Sequence, residues 1–200
     1  MATKLLLAFS MAAFALAQQA TCPVCRIATV NGAATQPLAP SQHPQSCSTR
    51  PGYNGYPIPD PQCTPGAFNP TVPPAVFGDR RFSTKCLRDC ASAPAQKHTL
   101  YKAYHVSQNP SCELDHLVPL EMGGADSLDN IWPQCGQAPG GKNYKDLKDQ
   151  VENYLAIEVL LGNMTIDDVR KGIAADWTKY LAAALSFCGA QTCDIGHYRK

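Results

Sequence analysis

Ten cysteines in a chain of 200 residues limit its fold more than any other feature, because each pair that oxidises closes a loop and fixes two distant segments together. Whether they oxidise depends on the compartment. Lys4 precedes an apolar run, Leu5–Ala17, that ends in the small-x-small triplet Ala15-Leu16-Ala17, the pattern of a signal peptide cut before Gln18. The run is too short to span a bilayer, and no later run approaches the roughly 20 apolar residues that would. The mature chain is therefore expected to be secreted, extracellular and free of membrane spans, with up to five disulfides among Cys22, Cys25, Cys47, Cys63, Cys86, Cys90, Cys112, Cys135, Cys188 and Cys193. Zinc is the competing use of such residues. Cys22-x-x-Cys25 has ligand spacing, but Cys86 with Cys90 and Cys188 with Cys193 are looser, and export favours bridges. No βαβ pattern surrounds Cys22 and Cys25 to support a redox role.

Twelve of the seventeen prolines lie between Pro23 and Pro74, which excludes long helices and central strands there. Residues 18–62 are expected to run as extended chain tacked down by disulfides, ahead of one domain over residues 63–200. A short helix is expected between Pro94 and Val106. Leu147, Val151, Tyr154, Leu155 and Val159 recur at helical spacing, predicting a helix from Tyr144 to Leu161 that Gly162 stops. A last helix should start at Thr165, with Asp168 completing a capping box, and run to Leu185 on a stripe of Val169, Ile173, Trp177, Tyr180 and Leu181. Asn163-Met-Thr165 is a glycosylation sequon in the turn between the two helices.

The chemistry concentrates in Cys112-Glu-Leu-Asp-His-Leu-Val-Pro-Leu-Glu-Met-Gly-Gly-Ala-Asp-Ser-Leu-Asp-Asn-Ile-Trp-Pro-Gln134. Asp115 and His116 sit on a short apolar strand, a Gly-Gly turn follows, and Asn130 opens a second strand. This run resembles the signature of HNH-type (ββα-metal) nucleases, in the subgroup of small secreted proteins that read Asp-His-Leu-Val-Pro-Leu-Glu-x-Gly-Gly and continue to Asn-x-Trp-Pro. Thr64–Val72 resembles the opening of that subgroup's domain, and Lys148–Asn153 its metal-side helix. The resemblance implies an α+β fold, a ββα-metal hairpin-plus-helix core with additional helices, stapled by disulfides.

Hydrolysis of a phosphodiester needs an activated water, a cation against the developing charge, and help for the leaving oxygen. His116 is the expected general base, since an imidazole of ordinary pKa near ~6.5 is largely neutral at working pH. Asn130 is expected to accept a hydrogen bond from its ring N–H. Asp115 is the expected metal ligand, although neighbours on a regular strand point to opposite faces, so a twist or bulge would have to bring it beside His116. A further ligand should come from the helix, with Asp149 and Glu152 ahead of Asn153. Oxygen ligands suit Mg²⁺, with Mn²⁺ or Ca²⁺ as substitutes. A bridge from Cys112 to Cys135 would pin the two strands, closing a 24-residue loop and contributing about 3 kcal/mol by the loop-entropy model. The bland alternatives are a surface Asp-His pair, an Asn that only shapes a turn, and a solvated acidic helix face; Glu113 and Glu121 are read as bracing residues.

Formal charge is +1, and zero once Lys4 is removed, so the whole chain does not carry the basic surface of a tight nonspecific nucleic-acid binder. Local patches at Arg80, Arg81, Lys85 and Arg88, and at Lys142, Lys145 and Lys148, could still meet phosphates. The leading expectation is a secreted metal-dependent endonuclease acting on DNA, and on RNA if the site admits it, with little sequence preference because no base-reading module is present. No obligate protein partner is indicated. The competing expectation is a catalytically inactive, disulfide-rich secreted binding or effector protein on the same fold.

Overall fold

A computed structural model of the chain describes residues 44, 46–68, 77–80, 82–84, 88 and 94–200. The expected signal peptide, together with Cys22, Cys25, Cys86, Cys90, Arg81 and Lys85, lies outside these residues. Strand β1 (Arg50–Pro51) pairs antiparallel with β2 (Pro57–Ile58). Proline has no N–H to give to a ladder, and a proline in each strand keeps this one short. Helix α1 (Pro94–Ala103) starts on a proline, whose missing donor costs nothing at a first helical position.

Strands β3 (Glu113–His116) and β4 (Ile131–Gln134) form a second antiparallel pair, with Asp115 opposite Trp132 and His116 opposite Ile131. Helix α2 (Tyr144–Leu160) follows the apolar spacing closely, burying Leu147, Val151, Leu155 and Val159. Gly162 ends it at φ 79°, in the left-handed region that glycine enters at little cost. Helix α3 (Ile166–Asp176) is capped as expected: Thr165 Oγ1 accepts from the Asp168 backbone N–H at 3.1 Å. Among the described residues these elements make an α+β arrangement of helices with two small antiparallel sheets.

The expected single helix from Thr165 to Leu185 is instead interrupted. Asp176 takes an extended backbone, and its carboxylate accepts from Thr178 N–H at 2.9 Å and Thr178 Oγ1 at 2.6 Å, restarting the chain as a 3₁₀ turn, Trp177–Tyr180. Helix α4 (Leu181–Ala190) and the single turn α5 (Ile195–Tyr198) complete the chain. The break is useful to the core. It turns fully buried Trp177 inward, where its Nε1–H donates to Pro57 O at 3.0 Å, while Asp176 also accepts from Tyr53 N–H at 2.8 Å. The proline-rich segment is thereby fastened to the C-terminal helices.

Three disulfides occur among the described residues: Cys47–Cys63, Cys112–Cys135 and Cys188–Cys193. They fit an oxidising compartment. No helix among the described residues is long and apolar enough to cross a membrane. Asn163 is exposed in the turn between α2 and α3, open to a glycosylating enzyme.

Candidate functional site

Between β3 and β4 the chain folds back as a loop that one side chain holds. Asn130 is fully buried; its Oδ1 accepts from Val118 N–H at 2.8 Å, and its Nδ2 donates to Val118 O at 2.8 Å and Ala125 O at 2.9 Å. Gly124 allows this closure, since a Cβ there would lie 1.8 Å from Val118 O. The expected bond from His116 to Asn130 is therefore not made. The Asn130 amide is used up by backbone groups that would otherwise be buried without partners, so the residue shapes the loop that carries the site.

The partner of His116 is Asp126, a residue the motif did not single out. His116 Nε2 lies 2.8 Å from Asp126 Oδ1, and Lys97 Nζ donates to both oxygens of the same carboxylate at 2.7 and 2.8 Å. Burial would raise the Asp126 carboxyl, but the hydrogen bonds from His116 and Lys97 outweigh it and hold the group at about 2. An ionised Asp126 can only accept, which assigns the proton to Nε2 and leaves the Nδ1 lone pair of neutral His116 without a partner among the described residues. Burial lowers the imidazole pKa, opposed in part by Asp126 and Asp115. The ring is thus a neutral base, in one tautomer, with 11% of its side-chain surface still exposed.

Asp115 reaches the same cleft from the opposite face of β3. The register is regular through both residues, so no bulge is involved; the strand simply ends at His116, where its two faces meet the opening. Asp115 is buried, and each oxygen has a donor: Trp132 Nε1–H to Oδ2 at 2.8 Å and Lys148 Nζ to Oδ1 at 3.1 Å. Lys148, expected at the surface in a phosphate-binding patch, is fully buried. Its ammonium also donates to His116 O at 2.8 Å and, one helical turn on, to Glu152. The charges of Asp115 and Glu152 overcome burial and raise its pKa, so it stays protonated.

The expected ligand set of Asp115, Asp149 and Glu152 is therefore brought to one place but not left free. As these side chains stand they do not fit a divalent ion: two of the three already hold an ammonium, and no group of three or more His, Cys, Asp or Glu among the described residues is placed to hold a metal. Asp149, Glu113 and Glu121 complete the acidic wall of a cleft of about 380 Å³ that Arg88 also lines. Burial raises all three carboxyls, and neighbouring acids add to the effect. Glu121 is braced by Arg199 at 3.8 Å and Glu113 by Lys145 at 3.8 Å, the bracing roles expected of them. The bridge expected between Cys112 and Cys135 is present and closes the hairpin at its open end.

One of the residues missed has a readable signal. Lys148 lies four residues after Tyr144 and three before Val151, inside the apolar stripe of α2, where a charge must find partners. Lys97 and Asp126 meet across 29 residues, and nothing in their spacing announces it. Compared with known proteins, the chain matches no family model, no curated protein and no solved structure.

Proposed function

We propose that the chain is a secreted phosphodiester hydrolase, an HNH-type endonuclease that cuts DNA, and RNA where the cleft admits it, with little sequence preference. The observation that carries this reading is His116: Nε2 fastened to Asp126, and Nδ1 without a partner among the described residues, beside a polar cleft. In this reading β3, β4 and α2 are the ββα core, with the Asn130 loop positioning the base.

Nδ1 takes a proton from water as the water oxygen bonds to phosphorus and the bond to the leaving oxygen breaks, the leaving oxygen taking its proton from solvent water. The imidazolium so formed lies against ionised Asp126, which favours the charged state as it develops. Arg88 lines the same cleft. A 2′-hydroxyl takes no part in this chemistry, so both polymers stay within reach.

The oxidised protein, incubated with supercoiled plasmid and with single-stranded RNA in Mg²⁺, Mn²⁺, Ca²⁺ or chelator, should convert plasmid to nicked and linear forms. Plasmid and RNA left intact in every ion would favour the inactive binding protein instead, a reading to which the closed Asp115–Lys148–Glu152 network gives some weight.

A further inference from the structure

We infer that Lys148 is the resident cation of this site, built between Asp115 and Glu152 so that its ammonium excludes a divalent ion from that pair. Three observations carry this. Nζ has three hydrogens and three acceptor groups around it, Asp115, the His116 carbonyl and Glu152, so its donor capacity is filled. Its side chain is 0% exposed, so solvent does not compete for it. The remaining contact to Asp115, from Trp132 Nε1–H at 2.8 Å, fixes the carboxylate from the other side, so it cannot swing away to meet a second ion. A divalent ion bound to either carboxylate would sit next to a buried positive charge, and the two repel strongly where water is absent.

Lys148 is then a positioning residue. Through the His116 carbonyl it ties α2 to the strand that carries the base, and through Asp115 and Glu152 it keeps the floor of the cleft neutralised. This holds whether or not the chain cleaves nucleic acid, so its test reads cation binding.

Calorimetric titration of Mn²⁺ into the wild-type protein and into Lys148→Met is the experiment. Without the ammonium, Asp115 and Glu152 become an unpaired carboxylate pair, the donor type that hard cations take. Lys148→Met should bind Mn²⁺ at least ~10-fold more tightly than wild type, and its melting temperature should rise with added Mn²⁺ while that of wild type does not. A Lys148→Met protein that folds but gains no Mn²⁺ affinity overturns the inference. If Lys148→Met fails to fold, Glu152→Gln decides: the wild-type Mn²⁺ affinity should survive that change, and a loss of ~10-fold or more means the pair already binds the ion and the inference is wrong.

Discussion

Replacing Asp126 with Asn keeps the volume of the side chain and removes only its charge, which isolates what that charge does for His116. A carboxyl held at about 2 against an ordinary 3.8 contributes about 2 kcal/mol at neutral pH. The sign follows from the direction: the folded-state pKa is depressed, so the contribution is complete above 3.8 and disappears as pH falls towards 2. Asp126→Asn should therefore unfold about 2 kcal/mol more easily in urea at pH 7, with the difference vanishing near pH 2. Lys97 adds to the penalty, because its ammonium is 19% exposed and loses an ionic partner at 2.7 Å.

The same change removes the group that opposes burial at the imidazole, so the His116 pKa drops further below 6.5. Plasmid cleavage should fall by at least ~10²-fold, and the acid limb of its pH profile should move to lower pH. An Asp126→Asn protein with wild-type stability, cleavage rate and acid limb would refute the coupling of Asp126 to His116.

Asn130→Ala removes three buried hydrogen bonds and should cost about 3 kcal/mol in urea denaturation, whether or not the protein is a nuclease; a loss below about 1 kcal/mol would mean the loop holds itself. A Cys112→Ser/Cys135→Ser double variant should keep its helical circular dichroism, since the α2–α3 core of Val151, Leu155, Val169 and Ile173 lies apart from that bridge, yet lose most cleavage through misplacement of His116. Melting of the helices along with the hairpin would contradict that separation.

How much of this could be read from residues differs between the helices and the site. Helix α2 and the Thr165 cap were legible because apolar spacing and capping chemistry are local properties of the sequence. The break at Trp177 is not, since the apolar stripe runs on unbroken through it; the Asp176 cap on Thr178 competes with that stripe, and Asp176 is also held by Tyr53, 123 residues away in sequence. At the site, Asp115, His116 and the Cys112–Cys135 bridge stood out through their motif. The role of Asn130 is not legible in the sequence, because an amide across a hairpin can serve a ring or a backbone equally well, and only the path of the 118–125 loop decides. Asp126 was hidden for a similar reason. It is one of several acids in that loop, and its selection rests on where Lys97 of α1 arrives.

That His116 is the base of a phosphodiester hydrolase is tested directly by the rate of plasmid cleavage by His116→Ala beside wild type under identical ions. Wild type should cut, and His116→Ala, with an unchanged circular-dichroism spectrum, should be slower by ~10²–10⁴-fold. A folded His116→Ala protein that cuts at the wild-type rate would contradict it.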